Sequence, residues 1–343
     1  MSYIAQDEYK LYGFMMSPYS MKMRAYLRYR QLPFRWVTGE AANNIAMTEV
    51  ETYMVPVLGY PDGRFANDST HLIEDLETRH PERLTAPDNE ADAFLALLVE
   101  DFADEWLVAP FFLYRWDSEA DQQHNSQWII YEFFRGEIGN SQFEEMAEMW
   151  RARQVSLLPA VSGQPSSYAM LKESLNAFLE IMEKTVRKKP FFFGSRPSSA
   201  EFAIFGMLSQ LLQDLGANRI MRDRYPFTSR WIGVMDDLSG FEGTWDTVCN
   251  TAHIEQGSPI YEILKLSRIY HLPMLQANQT AMDNNEKYYT LEVDGIQHKR
   301  RVLARFQPCL PALQERYRGL SAAAKAELQT PLKETGCLPF LVG

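Results

Sequence analysis

The hydrophobic period of this chain changes near residue 90, and that change constrains the fold more than any other feature. Before it, short strand-like and helical segments alternate; after it, apolar residues recur at helical spacing to about residue 250. Tyr9-Lys10-Leu11-Tyr12-Gly13-Phe14 reads as a strand running into a loop. Tyr19, Met23, Tyr26 and Leu27 then share one face of a helix that begins after Pro18 and runs to about Arg30. Pro33 stops it, and Phe34-Arg35-Trp36-Val37 is a second strand. Val55 to Tyr60 and Arg64 to Ala66 flank Pro61-Asp62-Gly63 as a hairpin, with glycine where positive φ is needed. Asn67-Asp68-Ser69 supplies N-cap chemistry to a helix with Leu72, Ile73 and Leu76 inside, closed by His80-Pro81.

A β-α-β unit followed by β-β-α is the order of a thioredoxin-like domain, so the expected fold class is an α/β N-terminal thioredoxin-like domain joined to an all-α helical domain. Thr85-Ala86-Pro87-Asp88-Asn89 is polar and turn-prone and marks the expected boundary. The expected units are residues 1–85, a helical unit over 90–250, and a C-terminal extension over 251–343. Helices are expected near 91–105, 125–134, 142–154, 168–186 and 200–215. In the extension, Tyr288 to Val293 and Ile296 to Leu303 flank Asp294-Gly295, the strongest hairpin signal in the chain, and short helices follow near 312–317 and 322–328. The sequence assigns this extension no task; a lid over a pocket and a cover or extension of a subunit interface are both open.

Composition narrows the function classes. Among 343 residues, 46% are hydrophobic, 23% charged and 13% aromatic, as in a globular protein rich in rings. A formal net charge of −11 opposes binding to nucleic-acid phosphates or anionic membranes, and Lys299-Arg300-Arg301 is too short to reverse it. Cys249, Cys309 and Cys337 form no C-x-x-C pair, so neither a disulfide framework nor a metal is signalled. Residues Met1 to Glu8 lack the basic and apolar regions of a signal peptide, and no apolar run reaches membrane-spanning length; a cytoplasmic protein is expected.

Four motifs stand in register. Ser17-Pro18-Tyr19-Ser20-Met21-Lys22-Met23-Arg24 opens the first helix, Val55-Pro56-Val57-Leu58 precedes the hairpin, and Asp68-Ser69 opens the next helix. Phe192 to Ala203 then carries Gly194, Pro197, Ser198 and Ala200, with Ser198 and Glu201 spaced as a capping box. In this order they resemble the cytosolic glutathione transferases over roughly residues 9 to 250. The resemblance implies a cis Val55–Pro56 bond whose flanking backbone binds a peptide in strand-like fashion. It implies Asp68 and Ser69 at the γ-glutamyl end of glutathione, glutathione as co-substrate, and a homodimer. The chain departs from the family where Glu51-Thr52-Tyr53-Met54 replaces a conventional N-P-x-G-x segment. The unusual stretch from Thr38 to Thr48, through Asn43 or Asn44, is then the expected source of contacts to the glycyl end.

The Ser17-Pro18-Tyr19-Ser20 loop also looks like a glutaredoxin site with both sulfurs replaced by oxygens, so sulfur chemistry must arrive with a bound thiol. A free thiol with a pKa of about 8.5 is mostly protonated near neutrality. A hydroxyl donor at a helix N-terminus favours the thiolate, and a shift of roughly 2 units corresponds to about 2.7 kcal/mol. Ser17 is the first candidate catalytic residue; Ser20, Tyr12 and Tyr19 are the alternatives, and a plain helix cap is the competing reading of Ser17. Met15 and Met16, with Phe111, Phe112, Tyr114 and Trp116, are candidate walls for a small apolar electrophile, against ordinary core packing. The expected activity is attack of the glutathione thiolate on such an electrophile. The alternatives are an isomerase or dehalogenase using the same thiolate, and a non-catalytic binding or interaction protein. Glu100, Asp101, Asp104 and Glu105 have no histidine partner and read as a solvated helix face; the resemblance offers Asp101 or Asp104 to a neighbouring subunit's glutathione amine. His71 and His80 read as structural or surface residues.

Overall fold

The computed structural model describes residues 8–246 and 254–343; Cys249 and the expected boundary at 250–251 lie outside them. The N-terminal sheet has four strands, β1 (Tyr9–Tyr12), β2 (Phe34–Val37), β3 (Val57–Gly59) and β4 (Phe65–Asn67), in the order β2-β1-β3-β4. β1 and β2 are parallel, with Tyr9 opposite Phe34, because α1 (Pro18–Tyr29) carries the chain back between them. β3 runs antiparallel to both neighbours, and Gly63 at φ 89° closes its hairpin with β4. β3 starts two residues later than expected: Pro56 has no N–H for the ladder, and the Val55–Pro56 bond is cis.

The stretch near Thr38 to Thr48 folds as α2 (Glu40–Glu49). Only Asn43 and Ala46 of this helix are buried, while Ile45 and Met47 are exposed, so its periodicity is faint in the sequence. α3 (Ser69–Arg79) completes the domain. The helical part runs through α4 (Glu90–Asp101), one π-helical turn (Phe102–Trp106), α5 (Val108–Trp116), α6 (Glu119–Phe134), α7 (Asn140–Val161), α8 (Tyr168–Val186), α9 (Ser199–Leu211), α10 (Leu215–Arg224) and α11 (Pro226–Met235).

The extension contains α12 (Pro259–Leu266), a second π-helical turn (Ser267–His271), α13 (Leu272–Asp283), the hairpin β5 (Tyr288–Val293) and β6 (Ile296–Arg301), α14 (Cys309–Gly319), α15 (Ala322–Glu334) and α16 (Leu338–Val342). Asp294 and Gly295 both take positive φ, as their sequence demands of a two-residue turn. The extension shares the main hydrophobic core rather than building its own. Its anchors are polar as well: Arg316 pairs with Glu74, and Glu90 accepts the Ser321 N–H at 2.9 Å. These two contacts tether the extension to α3 and α4 across an open groove of about 670 Å³ bordered by Ile73, Glu77, Phe94 and Leu320. No helix among the described residues is long and apolar enough to cross a membrane.

α9 is the central post. All of Ala200–Leu211 is buried, and the expected capping box is formed by Ser198 and Glu201. The Glu201 carboxylate also accepts the Phe192 N–H at 2.6 Å. α1 lies directly on α9 at Gly206, where a Cβ would come to 2.5 Å from the Pro18 carbonyl oxygen and 3.1 Å from Lys22 Cβ. Glycine is required there by this backbone approach, since carbonyl and helix cannot both give way. Gly206→Val is expected to destabilise the fold by about 3 kcal/mol through overpacking, read as a lower urea midpoint with unchanged m-value.

Candidate functional site

The loop between β1 and α1 is held from three sides. Ser17 is the N-cap of α1, its Oγ accepting the Ser20 N–H at 3.3 Å while Pro18 takes the first helical position. The cap uses an acceptor lone pair, so the Ser17 hydroxyl hydrogen is free to donate to a group placed before the helix N-terminus. Capping and activation are therefore compatible uses of one side chain. Arg115, a single cation within the apolar α5, fans its guanidinium to the Met16 carbonyl (2.7 Å), Gln210 Oε1 (2.9 Å) and Asp214 Oδ1 (2.9 Å). The Met15 N–H donates to Glu132 Oε1 at 2.7 Å.

The other hydroxyls of this region have different surroundings. Ser20 is fully buried beneath Gly13, its Oγ accepting the Phe14 N–H at 3.4 Å. Tyr12 packs with Ala46 and Val57, and burial raises its phenol above the usual range. The Tyr19 hydroxyl donates to the Asp104 carbonyl at 2.9 Å and accepts from Arg305 at 3.0 Å; burial pushes its pKa far up.

Met16, Ser17, Val55, Phe112 and Trp116 border one cavity of about 250 Å³ between the two domains, together with Phe111. Met15 is exposed and borders a separate outer groove of about 740 Å³ with Trp36, Trp128 and Tyr131. Pro56 is buried behind Val55. Asp68 and Ser69 sit at the start of α3 and do not border the cavity. Asp68 has φ 75°, and its carboxylate accepts the Thr70 N–H at 3.1 Å; Ser69 is buried. Asn43 is committed inside the protein, donating to the Gly39 carbonyl (2.7 Å) and accepting from Tyr53 (2.6 Å), whereas Asn44 is exposed.

The acidic run from the last turn of α4 into the π-helical turn is not a solvated face. Lys22 Nζ lies 2.6 Å from both Glu100 and Asp104, which are 2% and 4% exposed. The two carboxylates hold the Lys22 ammonium charged against its desolvation. Asp101 is taken by His271 Nε2 at 2.6 Å, so Asp101 and Asp104 both have partners within the chain. Burial pushes Glu105 up to about 8; Asp101, Asp104 and Asp68 add to the shift, and Arg305, 3.5 Å away, opposes it. Periodicity could not show this, because each partner (Lys22, His271, Arg305) stands far away in sequence. His80 bonds the Tyr9 hydroxyl at 2.8 Å, and His71 is largely exposed. Among the described residues no cluster of three or more metal-ligating side chains occurs.

Two family models match the chain: "Glutathione S-transferase, N-terminal domain" over residues 11–84 and "Glutathione S-transferase, C-terminal domain" over residues 145–233. Among solved structures, it is similar to a glutathione S-transferase from Rhodospirillum rubrum at 17% identity and TM-score 0.43, over 66% of this chain and 86% of that one. A glutathione S-transferase from Methylobacillus flagellatus with glutathione bound gives 17% identity and TM-score 0.40, over 66% and 93%. The beta-etherase LigF from a Sphingobium species gives 18% and 0.46, over 66% and 94%. No curated protein matches the sequence.

Glu105 is the titrating group with the clearest consequence for stability. Its folded pKa lies above its unfolded one, so its contribution is complete below about pH 4.5 and is lost as pH rises through about 8. The melting temperature is expected to fall from pH 6 to pH 9, and Glu105→Gln to flatten that fall. An unchanged slope in the variant would remove Glu105 as its source.

Proposed function

We propose that this chain, which belongs to the glutathione S-transferase superfamily on both its matched domains, binds glutathione at the α1 N-terminus and activates its thiol through Ser17. The observation that carries the reading is the Ser17 hydroxyl: half-buried, at the head of α1, with its hydrogen uncommitted, and bordering the interdomain cavity. A sulfur placed against it meets an O–H donor and the positive end of the helix dipole, both of which favour the thiolate. Ser20 and Tyr19 are poorer candidates: Ser20 is fully buried and does not border the cavity, and the Tyr19 hydroxyl already donates to the Asp104 carbonyl.

In this reading the cysteinyl backbone lies along Val55, beside Pro56, and the γ-glutamyl end reaches Asp68 and Ser69. The thiolate attacks an electrophilic carbon, the new C–S bond forms, and the leaving group departs with its electron pair. The electrophile occupies the cavity walled by Met16, Phe112 and Trp116. Its volume of about 250 Å³ lies below the range usual for drug-sized ligands, which suits one small molecule beside the sulfur. Met15, exposed outside this cavity, is at most a part of its rim. The proposed setting is the cytoplasm. The same thiolate would serve an isomerase or dehalogenase.

Homodimerisation is part of the proposal. Light scattering is expected to return twice the 39.7 kDa chain mass; a single-chain mass removes the dimer.

Ser17→Ala is expected to lower kcat/KM for a generic aryl halide by about 10- to 100-fold and to move the pH–rate inflection up by roughly 1 to 2 units. Retention on immobilised glutathione is expected to persist in this variant, and Ser20→Ala to leave the inflection in place. The reverse ranking of the two serines would sink the assignment. Retention of the wild type without turnover of any electrophile would mark a binding protein instead.

A further inference from the structure

We infer that Gln154, on α7, selects the electrophile in the cavity beside Ser17, favouring one that carries an uncharged acceptor oxygen such as a carbonyl or nitro group. This deepens the reading above and rests on the cavity being the acceptor pocket. The inward stripe of α7 is Ala147, Trp150, Gln154 and Leu158, at helical spacing. The other three pack into the hydrophobic clusters; Gln154, 8% exposed, is the polar exception, and it borders the cavity. Its carboxamide has no hydrogen-bond partner among the described residues, yet both amide atoms keep accessible surface. Trp116 Nε1 and Asn125 Oδ1, on the same cavity, also lack partners but are sealed from any ligand. Arg153 and Ser156 take the solvent side of α7, so the open part of Gln154 is turned toward the cavity.

The remaining polar side chains on this cavity are committed. Arg115 is engaged by Met16, Gln210 and Asp214. The Tyr19 hydroxyl is held by the Asp104 carbonyl and Arg305, and the Asn125 NH₂ donates to the Arg115 carbonyl. Ser17 is assigned to the sulfur, which leaves Gln154 to meet a polar group on the electrophile. An apolar residue would complete the α7 stripe without the cost of an unpaired amide, so the carboxamide needs a partner that enters from outside the fold. Its NH₂ donates to an oxygen. A carboxylate is disfavoured, because the cation bordering the cavity, Arg115, is already spent. A carbonyl or nitro group also draws electrons from the carbon that a thiolate attacks, and an N–H donor on its oxygen stabilises the charge that develops there.

The test is calorimetric binding to the full chain without glutathione, using acetophenone and α-methylstyrene, which differ by C=O against C=CH₂ at nearly equal size. Gln154→Leu is expected to weaken acetophenone binding about tenfold while keeping affinity for α-methylstyrene within about threefold. The variant is also expected to melt no lower than the wild type, because an apolar side chain of similar size replaces an unpaired amide. A purely structural role for Gln154 would instead lower the melting temperature and weaken both ligands alike. Equal effects on the two ligands, an unchanged acetophenone affinity, or no binding of either ligand to the wild type overturns the proposal. Failure of the thiol chemistry would show in the Ser17→Ala comparison, which this measurement does not involve.

Discussion

The Lys22 ammonium, buried between Glu100 and Asp104, is the interaction on which the relation of the two domains depends. Its side chain leaves α1 one turn after Ser17 and enters the helical domain where α4 passes into the π-helical turn. Thr70 at the head of α3 joins the same network, donating to Glu100 at 3.0 Å. A single buried charge cluster thus ties α1, which Ser17 caps, α3, which Asp68 caps, and the first helix of the second domain. Removing one member of such a cluster leaves an uncompensated buried charge, which costs about 3–5 kcal/mol. The fold tolerates the desolvation because each carboxylate meets the ammonium at hydrogen-bond distance.

Apolar packing completes what the ion cluster begins. Gly206 lets α1 approach α9 closely enough for the Pro18 carbonyl to rest on the helix. Arg115 then grips the Met16 carbonyl from the other side. The Ser17 loop is therefore set by two elements of the helical domain and not by the sheet alone. In the proposed chemistry a displacement of about 1 Å in this loop would be enough to spoil the geometry, which gives Gly206 and Arg115 a positioning role in that proposal.

The extension follows the same logic at the rim. Arg305 bonds Tyr19 in α1 and pairs with Glu105 in the π-helical turn, while His271 takes Asp101. The carboxylates that the resemblance would have offered to a neighbouring subunit each have a partner within this chain, Asp104 with Lys22 and Asp101 with His271. The extension is a structural neighbour of the Ser17 loop, placing Arg305 beside Glu105 and His271 beside Asp101. Its role is set by where it packs, since its own sequence shows only a hairpin and some short helices.

How much could be read beforehand follows from the range of each interaction. The order of the four N-terminal strands with α1 and α3, the Asp294-Gly295 turn and the Ser198–Glu201 cap rest on contacts within a few residues, and these were legible. β3 and β1 came out shorter than their apolar runs, because strand length is decided by ladder partners. α2 was illegible because only Asn43 and Ala46 face inward, too few to set a period. The acidic run misled for a related reason: a carboxylate beside other carboxylates reads as solvated until a lysine from another domain is placed against it. By itself the sequence determined the local alternation, the motif order and the candidate hydroxyl at Ser17, through backbone preferences and near-neighbour caps. Tertiary structure alone decided which hydroxyls kept a free hydrogen, where the cavity lies and which charges are paired, because those depend on groups that folding brings together from distant parts of the chain.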